Sequence, residues 1–103
     1  MRVEISASAV QHVASRGGRL WVWAARPRLC CSGAPAWMHA ATDPPDDQAG
    51  FAELPASSLP AGITVFFRPV GGLRPDVLEV GIRGRRHPAV AGYWDGCLMA
   101  MVG

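Results

Sequence analysis

Only one stretch of this sequence reads as a helix, and it comes early. Ser6 supplies an N-cap, and from Ala7 the apolar positions Val10, Val13 and Ala14 fall at helical spacing. Gly17-Gly18 then ends the run. Beyond that point glycine and proline cut the chain into short runs suited to strands. The order is therefore β-α-β followed by mostly β.

Residues 2–5, Arg-Val-Glu-Ile, alternate polar and apolar as a strand does. Residues 19–24 form a second strand. Both of its faces, Leu20/Val22/Ala24 and Trp21/Trp23, are apolar, which places it centrally or covered on two sides. Residues 37–42 and 51–54 are short strand candidates. Residues 62–68 are rich in β-branched and aromatic side chains and form a strand. Residues 77–83 set Leu78, Val80 and Ile82 against Glu79, Gly81 and Arg83, the alternation of a half-buried strand. Residues 25–36 form a Pro/Gly loop that carries two cysteines, residues 43–50 a solvated acidic loop, and residues 55–60 another loop. Gly71-Gly72 turns the chain. Residues 85–96 read as irregular, and residues 97–102 as a closing strand or buried tail. No internal repeat is present. The expected fold is one α+β domain over residues 1–103, β-rich, with its N-terminal helix packed on a mixed or antiparallel sheet.

Composition excludes several classes. The chain has 103 residues, 50% hydrophobic and 17% charged, which is enough for a packed core and argues against disorder. The longest apolar runs, 20–25 and 97–102, hold six residues each, far short of the ~20 a membrane helix needs. The N-terminus carries Arg2, Glu4 and Gln11 without an apolar stretch of signal-peptide length, so secretion is not expected. Three cysteines cannot close a disulfide framework, which favours a reducing, cytoplasmic setting. All ten basic residues are arginine, and alanine, glycine and proline are abundant, as GC-rich codon usage would produce. A net charge of +2 is too small to imply nucleic acid.

The side chains that can carry chemistry are few. Cys30 and Cys31 are adjacent in a loop next to Gly33, where turn amides can stabilise a thiolate. Cys97, flanked by Leu98 and Met99, reads equally well as a core residue or a ligand. His39, in an apolar stretch, reads as a partly buried histidine, and His12 as a solvent-facing one. Arg83, Arg85, Arg86 and His87 form the only basic run, either a solvated turn or a contact for phosphate or an acidic partner. Trp21, Trp23, Phe66 and Phe67 read as core, and Tyr93-Trp94 as the core's edge. Asp46-Asp47 reads as a solubility feature. No phosphate loop, His-Glu-x-x-His, Gly-x-Ser-x-Gly or paired-carboxylate pattern occurs, which argues against an enzyme.

Several of these residues fall in the order found in the HesB/IscA-like family, the A-type iron–sulfur carriers, which this sequence resembles. Ile5-Ser6 with Ala9 matches that family's Ile-Thr-x-x-Ala, and residues 18–22 match its Gly-x-Leu-Arg-Val strand. Cys31-Ser32-Gly33 matches its Gly-Cys-Ser-Gly loop, with Cys30 in place of glycine, and Gly96-Cys97 matches the second half of its Cys-Gly-Cys. Asp95 stands where the first cysteine of that motif would be, and residues 76–95 depart from the family's spacing. The resemblance implies a small β-rich domain that binds iron or an iron–sulfur cluster. Cys31 and Cys97 would be ligands, Cys30 a third, and Asp95 an additional oxygen ligand. It further implies a homodimer, and a recipient or scaffold protein of iron–sulfur assembly as partner. A twofold dimer contributing Cys31 and Cys97 from each side would supply the four thiolates a cluster wants. Zn²⁺ on the cysteines with a histidine is an alternative. A domain of this kind without metal, acting as a protein-interaction module through an exposed edge or the arginine turn, is the other reading.

Overall fold

The computed structural model describes residues 1–25, 36–69 and 73–100. The chain runs β1 (Arg2–Ile5), α1 (Ala7–Ser15), β2 (Arg19–Ala25), β3 (Ala36–Ala41), β4 (Ala52–Glu53), a 3-10 turn (Ala56–Ser58), β5 (Thr64–Arg68), β6 (Val77–Arg83), β7 (Ala89–Trp94) and β8 (Met99–Ala100). The α+β class, the early helix and the predominance of strands are as expected.

Helix α1 begins where Ser6 caps it. The Ser6 side chain accepts the Ala9 N–H at 3.2 Å, and the Ser6 N–H donates to the Val80 carbonyl. Ala9 and Val13 are its buried contacts, whereas Ala14 points outward and Val10 is partly covered. Gly17 and Gly18, both at positive φ, end it.

The strands form two mixed sheets where one was expected. The first has the order β1-β6-β7, with β1 parallel and β7 antiparallel to β6. The second has the order β4-β5-β2-β3-β8, with β2 and β5 parallel and the other pairs antiparallel. The central position of β2 follows from its two apolar faces. The core lies between the sheets and α1, built from Val13, Leu20, Val22, Val65, Phe67, Leu78 and Trp94 among others. The sheets come close where Gly92 of β7 meets β2; a Cβ there would lie 2.9 Å from Val22 Cγ1.

Residues 85–96, expected to be irregular, contain β7. Its sequence, Ala-Val-Ala-Gly-Tyr-Trp, lacks the polar alternation that marks a strand, and pairing with β6 supplies the order instead. The expected loop 55–60 contains the 3-10 turn. Of the aromatics expected in the core, Phe67 lies in it, while Trp21, Trp23 and Phe66 lie on the outer face of the larger sheet, Trp21 buried there and the other two half-buried. Trp21 stacks on Phe66 with ring centroids 5.2 Å apart. The acidic loop reaches that same face, where Arg68 donates to the carbonyls of Asp47 and Ala49.

Candidate functional site

Cys97 follows a two-residue turn between β7 and β8. The Trp94 N–H donates to the Cys97 carbonyl at 2.7 Å, and the Cys97 N–H donates to the Trp94 carbonyl at 2.9 Å. The central residues, Asp95 and Gly96, have φ of 48° and 82°, the left-handed pair that a tight hairpin needs. Aspartate tolerates that conformation better than most residues with a Cβ. The turn is tied to the smaller sheet on both sides of Asp95. Its N–H donates to the Val77 carbonyl, and its Oδ1 accepts the Val77 N–H at 2.8 Å.

Cys97 is therefore an exposed free thiol, not part of a buried tail. The residues after it join the larger sheet: the Leu98 carbonyl accepts the Met38 N–H, and Met99 and Ala100 register with Trp37 and Ala36. This short strand links the two sheets. Asp95, the candidate oxygen ligand, has one carboxylate oxygen engaged with the backbone. Cys30 and Cys31 lie outside the described residues, so their expected convergence with Cys97 does too. Among the described residues, no group of three or more His, Cys, Asp or Glu side chains is arranged to hold a metal.

The histidines depart from expectation. His39 is exposed and stacks on Trp23, centroids 5.5 Å apart, on the outer face of the larger sheet. His12 is half-buried at the end of α1. Strand alternation explains His39: Ala36 and Met38 face the core, so Trp37 and His39 face out. Arg83, Arg85, Arg86 and His87 are all exposed, and residues 84–88 connect β6 to β7.

A second site escaped the sequence reading. An open cleft of about 310 Å³ lies between β3 and β7, walled by Met38, Ala40, Val90 and Gly92, with Leu98 at one end and Arg83 at the other. Its wall is β7, a strand that the local residue pattern does not mark. The chain matches no protein-family model, no curated protein and no solved structure.

Proposed function

We propose that this protein binds iron or an iron–sulfur cluster through Cys97 and Cys31, with Cys30 as a candidate third thiolate. The observation that supports this reading is the pairing of β3 with β8, the strands that follow Cys31 and Cys97 along the chain. Ala36, the first residue of β3, comes five positions after Cys31 and is registered with Ala100, three positions after Cys97. Five residues reach at most ~17 Å and three strand residues span ~10 Å, so the chain is long enough to bring both thiols to one ion. The exposure of Cys97 leaves its sulfur accessible to a metal or to a twofold partner. Asp95 has only its second oxygen left to offer, so thiolates are the stronger donors here. A bound cluster would be cargo for a recipient or scaffold protein of iron–sulfur assembly; the chain itself would supply the cysteine ligands and the tight turn that positions Cys97. Zn²⁺ on the same cysteines is the alternative metal.

Anaerobic purification with visible absorption and metal analysis tests this. Iron and colour in the wild-type protein, lost in both Cys31→Ser and Cys97→Ser, is the expected result. A colourless, metal-free protein that iron and sulfide cannot reconstitute would sink the reading.

A second reading is a metal-free interaction module. The observation favouring it is that Arg83, Arg85, Arg86 and His87 are all exposed on and beside the turn from β6 to β7.

A further inference from the structure

We propose that the gap between the edges of the two sheets at β1 and β4 binds a small carboxylate with an apolar body. The inference rests on neither reading above, since it uses no cysteine and no residue of the arginine turn.

The two sheets do not meet evenly. Where β7 lies against the larger sheet they touch: a Cβ on Gly92 would come within 4 Å of Val22, Met38 and the His39 carbonyl. At the other side the edge strands are β1 of the smaller sheet and β4 of the larger. A pocket of about 270 Å³ opens there, between β1 and the 3-10 turn that follows β4. That volume is at the small end for ligand sites, which run from ~300 Å³ upward. The floor of the pocket belongs to the core. Leu54 is buried, and Val3 is half-buried and packed against the core cluster. Met1 and Pro55 carry the apolar wall out to the surface, with Met1 44% exposed.

The polar groups of the pocket are donors. Arg74 is exposed at its rim and, among the described residues, pairs with no carboxylate. No acidic side chain lines it. Glu4, next to Val3, points to the opposite face of β1 and pairs with Arg2. The Ser58 hydroxyl donates to the Pro55 carbonyl at 2.9 Å, whereas the Ser57 hydroxyl has no partner among the described residues. The backbone adds one more donor. Arg2 and Ser6 donate to Asp76 and Val80 on the β6 side, so Val3, in the opposite phase, turns its N–H toward the free edge.

These groups specify the ligand. A guanidinium, a hydroxyl and an N–H call for an acceptor, and a single cation matches a single negative charge. The apolar floor selects a branched aliphatic body over a bare acetate. Such a carboxylate can be a free acid or the last residue of a peptide ending in Leu or Val.

The test follows the backbone amides of the full chain by NMR during titration with isovalerate, isovaleramide, acetate and N-acetyl-Ala-Leu. Isovalerate should bind saturably at about 1–10 mM and shift the Val3, Ser57 and Arg74 amides. Replacing it by acetate or by the neutral amide should weaken binding about fivefold or more, and so should Arg74→Gln, an exposed position whose change leaves the core intact. N-acetyl-Ala-Leu binding more tightly than isovalerate assigns the site to peptide termini, and binding more weakly assigns it to free acids; both support the carboxylate site. Equal affinity for isovalerate and its amide, or for isovalerate and acetate, would overturn the proposal. So would shifts centred on the arginine turn, or no saturable shift by about 50 mM. Iron content and colour are read separately, so the cysteine reading stands or falls on its own.

Discussion

Asp95 holds a left-handed backbone and gives one carboxylate oxygen to the Val77 N–H. Asp95→Ala should lose that acceptor and cost about 1 kcal/mol in urea unfolding, whereas Asp95→Asn keeps an acceptor and a tolerated φ and should stay within about 0.5 kcal/mol. Cys97 was ambiguous in the sequence because Leu98 and Met99 follow it, and a run of apolar residues reads as a tail into the core. The turn at Asp95-Gly96 decides otherwise, for it leaves the thiol on the surface. Cys97→Ser should accordingly leave the thermal stability of the metal-free protein within about 0.5 kcal/mol of wild type. A clear fall in its midpoint would show that the sulfur packs. Gly18 is a harder constraint. It sits at φ 78°, and a Cβ would lie 2.7 Å from the Gly62 carbonyl oxygen, a backbone atom that cannot swing aside. Gly18→Ala should destabilise by about 1–3 kcal/mol, measurable by chemical denaturation.

At the scale of elements, α1 was legible because its signals are local. A cap, a 3.6-residue period and a glycine pair all act within a few positions of one another. Ser6→Ala should cost about 1 kcal/mol, with the loss showing in helical circular dichroism as well as in stability. Strand β2 was legible for a different reason: two apolar faces admit few positions other than the middle of a covered sheet. Strand β7 was not legible. Small residues, Ala89, Ala91 and Gly92, carry no periodic signal, and at Gly92 the strand passes too close to the other sheet for a larger side chain. Gly92→Ala places a methyl 2.9 Å from Val22 Cγ1 and should cost about 1–3 kcal/mol through overpacking. The thermal midpoint, about 4–8 °C lower per kcal/mol for a domain this size, reads it directly. An unchanged midpoint would mean that Val22 yields freely and that the sheets are not held at this approach.

At the scale of the whole molecule, Trp94 joins the parts. It is buried on β7, pairs with Leu78 on β6, and lies 6.5 Å from Phe67 of the larger sheet, centroid to centroid. Trp94→Ala should cost about 3–5 kcal/mol, with near-ultraviolet and far-ultraviolet signals lost in one transition because both sheets share the cavity it leaves. Hydrophobic period, turn residues and caps are properties of neighbouring positions, and they determined the class, the helix and most strands from the sequence alone. The division into two sheets, the surface position of Cys97, the use of Asp95 as a backbone acceptor and the cleft beside the arginine turn were decided only by tertiary structure. Each depends on which strands pair across the chain, as Val77 does with Asp95 and Ala36 with Ala100. Such pairings are set by the packing of distant segments into one core, and the local pattern of residues carries no record of them.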